Sequence, residues 1–202
     1  MHRVAARALP GLRPKALAKL SAKHSCPVST YRSICVGARA VDLREDPAEP
    51  IRRTFNGFYG VRRNSLWREC FYNRFEFAKS SDLIGRSLFS EVVEGLHSDT
   101  GRVEASFVSK MVATVRPDCP IIDSVVRNWL SRHAMTPPFN GGTQGVVEYY
   151  NWLCDFMPEL LETDEAHAWG DAFEAAFPTY QGQVAITRMK QLDFLIWAGA
   201  DR

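Results

Sequence analysis

The sequence predicts an all-α fold, a compact multi-helix domain over residues 51–202 behind a basic N-terminal arm at 1–50. Apolar residues recur at helical spacing through every long segment after residue 65, and no stretch alternates apolar with polar as a half-buried strand would. No internal repeat or long heptad array points elsewhere, and 202 residues suffice for one domain with a substantial core.

The arm comes first. Residues 1–41 hold eight Lys or Arg and no acid, which leaves 17 basic against 23 acidic residues in the rest; a chain of net charge +2 is thus a +8 arm on a −6 body. Three readings stand, in this order: a disordered leader, a basic tail drawn to nucleic acid by phosphate neutralisation, and an organellar transit segment rich in Arg, Ala and Ser. Asp46-Pro47-Ala48-Glu49-Pro50 reads as the linker that ends it. No apolar run is long enough to span a bilayer and no signal-peptide core is present, so the expectation is an intracellular, cytoplasmic protein with no membrane partner. Cys26, Cys35, Cys70, Cys119 and Cys154 are odd in number and lack Cys-x-x-Cys spacing, which argues for free thiols, mostly in the core, rather than disulfides or zinc.

Beyond the linker, helices are predicted over 66–77, 83–96, 103–115 and from 125 through 130. Asp82 is placed to cap the second, with Leu83, Ile84, Leu88, Val92 and Leu96 as its buried stripe. Residues 136–145, rich in Pro and Gly, form a loop, and further helical patterns cover 146–161, 165–177 and 184–197.

The most informative stretch is 106–130, SFVSKMVATVRPDCPIIDSVVRNWL. Val103, Phe107, Met111 and Val115 share one helical face with Val108 and Val112 close by; Ser106, Ser109, Lys110, Ala113 and Thr114 occupy the other. Lys110 therefore sits among small residues beside the apolar stripe. Partial burial there disfavours the charged amine, which is how a lysine becomes a nucleophile. Pro117 and Pro120 force the chain to turn, and Asp123 stands where an N-cap belongs, facing the positive pole of the next helix. Taken residue by residue, the plainer reading comes first: Asp123 is a cap and Lys110 a boundary residue.

A helix carrying a lysine, a turn containing prolines and an aspartate opening the following helix resemble the helix-hairpin-helix DNA glycosylase superfamily, especially its bifunctional 8-oxoguanine type. The resemblance covers about 25 of the 202 residues. It implies that Lys110 attacks the sugar carbon as the base departs, giving a Schiff base, while Asp123 assists deprotonation and stabilises the cationic sugar. Two features depart from that family. Asp99-Thr100-Gly101-Arg102, with a single glycine, lies several residues before the lysine where a glycine-rich hairpin would directly precede it, and thirteen positions separate Lys110 from Asp123 where the family has more.

Six arginines, Arg52, Arg53, Arg62, Arg63, Arg68 and Arg74, interleave with Phe55, Phe58, Tyr59, Trp67, Phe71, Tyr72 and Phe75. Guanidinium forks suit phosphates and exposed aromatics stack on unpaired bases, but aromatics at helical spacing are more often core. The Gly141-Gly142-Thr143-Gln144-Gly145 loop lacks the Gly-Lys-Ser/Thr of a P-loop, and the five histidines show no metal-ligand spacing. Ser106 lies four positions from Lys110, yet Ser-x-x-Lys is absent, so a serine-lysine hydrolase ranks below the glycosylase. In the last helix Lys190 and Asp193 are three apart and would pair; a second carboxylate near Lys110 would matter if the fold brings it there.

The leading expectation, carried by that resemblance, is a DNA glycosylase/AP lyase of the DNA-repair kind, a hydrolase or lyase acting on a damaged or modified base extruded from DNA. Lys110 and Asp123 are the candidate catalytic residues; Arg52, Arg53, Arg62, Arg63, Arg102 and Arg127 are the candidate DNA-binding residues. No metal and no organic cofactor is called for. The alternative is a non-catalytic helical interaction or nucleic-acid-binding module, which the acidic body suits better.

Overall fold

The computed structural model describes residues 2–22 and 26–201. Among them every regular element is helical: α1 (His2–Leu20), α2 (Pro27–Ala40), a 3-10 turn (Asp46–Ala48), α3 (Glu49–Tyr59), α4 (Ser65–Ser80), α5 (Gly85–Thr100), α6 (Ala105–Val115), α7 (Ser124–His133), α8 (Thr143–Leu161), α9 (Asp164–Ala176) and α10 (Arg188–Gly199). The all-α expectation holds. No helix of the described residues is long and apolar enough to cross a membrane.

Local chemistry sets the helix starts. Asn64, Asp123, Thr163 and Thr187 each stand one residue before a helix, and their side chains accept from the amides of Trp67, Val125, Ala166 and Lys190. Asp82 does not cap α5. Ser81 Oγ accepts from Leu83 N in a tight turn after α4, and Gly85 opens α5 at φ +52°, a left-handed conformation that keeps the preceding residues out of the helix. Leu83 and Ile84, expected in the buried stripe, are consequently exposed, whereas Leu88, Val92 and Leu96 are buried as predicted.

The larger difference is at the N-terminus. Residues 1–50 were expected to be a disordered leader and linker, yet α1 and α2 are built into the core. Ala5, Leu9, Leu12, Ala16 and Leu20 line the buried side of α1 while Arg3, Arg7 and Lys15 face solvent, and Val28, Tyr31, Ile34 and Cys35 are buried on α2. Pro10 and Pro14 lie within α1 on its exposed side. α1 packs most extensively on α10, closely enough that a Cβ on Gly199 would lie 2.6 Å from the Leu12 carbonyl oxygen. The segment read as linker forms the 3-10 turn and opens α3, a helix not foreseen over its full length.

Two helices occupy the centre. α6 buries Val108 through Thr114 without a break, and α10 buries Met189 through Ile196. Lys110 is therefore not on a solvent-facing side of α6: that side, with Ser109, Ala113 and Thr114, is buried too. Both central helices carry a lysine into the interior.

Candidate active site

Lys110 and Asp123 converge. Lys110 Nζ donates to Asp123 Oδ2 at 3.1 Å and to Ser106 Oγ at 2.8 Å, and only 7% of the lysine's surface is exposed. Asp123 keeps its capping role, Oδ1 accepting from Val125 N at 2.9 Å, so one carboxylate serves as helix cap and as counter-ion. The cap and the site are the same residue.

Backbone pins explain how a proline-containing connector holds that aspartate so closely. Ser109 Oγ accepts from Ile122 N at 2.9 Å, tying α6 to the residue before Asp123. Thr187 Oγ1 donates to Pro117 O at 2.8 Å while capping α10. The connector is thus fastened at one end to the helix bearing Lys110 and at the other to the helix bearing Lys190.

Lys110 and Asp123 line a cavity of about 250 Å³ together with Lys190, Asp193, Phe58, Tyr59, Phe194 and Trp197. That falls just under the ~300–1,000 Å³ of drug-sized sites, a size suited to one small ring system. Gly57 and Gly60, exposed at the end of α3, open it to solvent, and Gly60 holds the left-handed conformation that ends α3 there. Lys190 and Asp193 form a second buried ion pair at 2.5 Å, with the ammonium over the rings of Phe194 at 4.5 Å and Tyr31 at 4.9 Å. Asp193, which lines the cavity, takes that bond through Oδ2, and no donor among the described residues reaches Oδ1.

Tyr59 adds a third polar group. Its hydroxyl is buried without a hydrogen-bond partner, its neighbour Thr114 donating instead to Lys110 O at 2.8 Å. Burial, and then the Asp193 carboxylate, hold the phenol well above its usual range, so it remains a neutral donor. Among the described residues no three His, Cys, Asp or Glu side chains gather to hold a metal.

The six arginines divide. Arg62, Arg63 and Arg102 line one surface depression with Asn64, Trp67 and Thr100. Glu104 joins them, pairing with Arg63 at 2.8 Å and Arg102 at 3.3 Å. This cluster adjoins the cavity, because the Phe107 ring lies 5.5 Å from the Arg63 guanidinium and 5.9 Å from Lys110 Nζ. Arg52 donates through Nε to Glu49 and through Nη1 to the carbonyls of Leu43 and Glu45, locking the turn into α3, and does not line the Arg62 depression. Arg53 is exposed, 3.7 Å from Glu49, and Arg127 lies over Phe139 at 4.1 Å; neither lines the Arg62 depression.

Of the interleaved aromatics, Phe55, Trp67, Phe71, Tyr72 and Phe75 are buried as the plainer reading expected. Phe58 and Tyr59 are the exceptions that line the cavity. The five cysteines are free thiols; Cys35 alone is fully buried, the other four being partly exposed. Comparison with known proteins adds no name to this geometry: no family model matches the chain, and no curated protein or solved structure is significantly similar to it.

Proposed function

We propose that the chain is a DNA glycosylase-like enzyme that takes an extruded base into the cavity and uses Lys110 as the nucleophile. The observation that carries this reading is the 3.1 Å approach of Lys110 Nζ to Asp123 Oδ2 inside an aromatic-lined cavity. A lysine and a carboxylate at that distance can exchange a proton directly. Asp123 takes a proton from the ammonium and the freed amine attacks the anomeric carbon; the new N–C bond forms as the glycosidic bond breaks, and the base leaves with the bonding pair and takes the proton held by Asp123. Loss of the second amine proton with opening of the sugar gives the imine. Asp123 accepts the first proton and offsets positive charge on the sugar. Phe58, Tyr59 and Trp197 supply stacking surface, and Arg62 and Arg102 supply donors for the flanking phosphates, Arg63 being held by Glu104.

A helical module without catalysis retains one supporting observation: Lys110 is already satisfied by Asp123 and Ser106, as a purely structural lysine would be. Borohydride trapping separates the two. Wild type and Lys110→Ala are each incubated with duplex DNA containing an abasic site or 8-oxoguanine. A covalent band present in the wild type and absent in the variant is expected; no band on either duplex refutes the lysine mechanism.

A further inference from the structure

The cavity holds two lysine–aspartate pairs, and they differ in what they leave free. Asp123 is fully engaged, one oxygen on Lys110 and the other on Val125 N. Asp193 is engaged through Oδ2 alone, with Oδ1 facing no protein donor among the described residues. Among the described residues Lys190 Nζ has one hydrogen bond, to Asp193, and it lies over the faces of Tyr31 and Phe194. An ammonium carries three donor hydrogens, so donor capacity remains. The second pair therefore presents an unused acceptor next to an unused donor, both on the cavity wall and both nearly excluded from bulk water, at 9% and 5% side-chain exposure.

We propose that Lys190 and Asp193 read the edge of the bound base, and that the preferred ligand is a heteroaromatic ring whose edge sets a donor beside an acceptor. The simplest such edge is the lactam, H–N–C=O, of an oxopurine or oxopyrimidine. Its ring N–H donates to Asp193 Oδ1 and its carbonyl accepts from Lys190 Nζ. The ammonium and the carboxylate cancel, so the reader binds a neutral ring without adding net charge to the cavity. Phe194, next to Asp193 on the same helix, and Trp197, one turn further on, stand on the same wall and offer ring surface for the ligand. A ring that lacks this edge desolvates both charges without replacing their hydrogen bonds, which is where discrimination arises.

This inference rests on the base-pocket reading but needs no covalent step, so its failure and that of the lysine mechanism can be told apart. Free hypoxanthine and free purine share one ring frame; hypoxanthine carries the lactam and purine carries no donor at that edge. Binding of each to the full chain is measured by calorimetry. Hypoxanthine is expected to bind at least about tenfold more tightly than purine, one well-made hydrogen bond's worth of discrimination. Lys190→Met/Asp193→Leu, which removes both charges together and so leaves neither stranded, should bring the two affinities within about threefold. If that variant does not fold, Lys190→Gln, which loses the ammonium alone, must still reduce the ratio. Equal binding of the two rings by wild type, absence of hypoxanthine binding at millimolar concentration, or a ratio that survives in whichever Lys190 variant folds overturns the proposal. A trapped Schiff base together with equal binding would leave the chemistry standing and remove the reader; discrimination without trapping would do the reverse.

Discussion

Removing one member of the Lys110 and Asp123 pair should cost very different amounts depending on which is removed. The Lys110 and Asp123 side chains are 9% and 17% exposed and 3.1 Å apart. Stranding one charge of a buried pair costs about 3–5 kcal/mol. Asp123→Asn leaves the cap, since an amide oxygen still accepts from Val125 N, but strands the lysine with Ser106 alone; the Ser106 bond places this near the lower bound, about 3 kcal/mol. Lys110→Met leaves a carboxylate that still receives the Val125 amide and faces the positive end of α7, so about 1–2 kcal/mol is expected. The double variant strands nothing and should be less destabilised than Asp123→Asn alone, a coupling of about 2 kcal/mol. Urea unfolding of the four proteins measures all three quantities. In a thermal melt Asp123→Asn should lower Tm by about 6–12 °C. Single-variant costs that add to within about 0.5 kcal/mol, or an Asp123→Asn cost no greater than that of Lys110→Met, would refute the buried-pair reasoning.

Three further outcomes are expected. Gly199→Ala drives a Cβ to 2.6 Å from the Leu12 carbonyl oxygen and should destabilise by about 1–3 kcal/mol in urea; an unchanged midpoint would mean that α1 is not docked on α10. Burial, with Cys119 close by, pushes the Cys154 thiol up to about 12, and burial also raises Cys119, so iodoacetamide at pH 8 should leave both unmodified in the intact mass of the native protein and alkylate both in denaturant. The Arg74 guanidinium donates to Asp99 at 2.7 and 2.9 Å and holds its carboxyl below the usual carboxylate range. The unfolded chain binds that proton more readily, so the stability Asp99 contributes is full above its unfolded pKa and is lost as pH falls through the lowered native value. Arg74→Gln should therefore show a shallower fall in urea midpoint below about pH 4, and an identical slope would count against the pair.

What the sequence disclosed follows from how local each signal is. The Asp123 cap was legible because capping is decided within four residues, and α4, α8 and α9 because each has a wet face and a dry one. α6 and α10 have scarcely any wet face, so the periodicity that set Lys110 beside the apolar stripe did not show how deeply it is buried. α1 was misread for the opposite reason. Its buried residues at 5, 9, 12, 16 and 20 do keep helical spacing, but a basic, acid-free composition argued for a leader. Pro10 and Pro14 project to solvent, and the basic residues outside the stripe are what a docked amphipathic helix also displays. The cavity could not be read at all: its walls come from residues 57–60, 110, 121–123 and 190–197, and no sequence spacing links the end of α3 to α10.

Two ion pairs in one small cavity are poor devices for stability. Each lysine and each aspartate gives up hydration to be there, and apolar residues of the same volume would serve a core as well or better. A core helix such as α10, buried from Met189 through Ile196, could be completed by two more aliphatic side chains at 190 and 193 with no polar atom to satisfy. Instead it carries a lysine and an aspartate one turn apart that line the same cavity as Lys110 and Asp123, together with Tyr59, whose buried hydroxyl has no partner among the described residues. Departures from the packing rule that gather at one point mark a candidate site. The division of labour follows from the bonds. On the proposed reading, the pair whose aspartate has both oxygens engaged holds its lysine for chemistry, and the pair whose aspartate has an oxygen to spare meets the ligand.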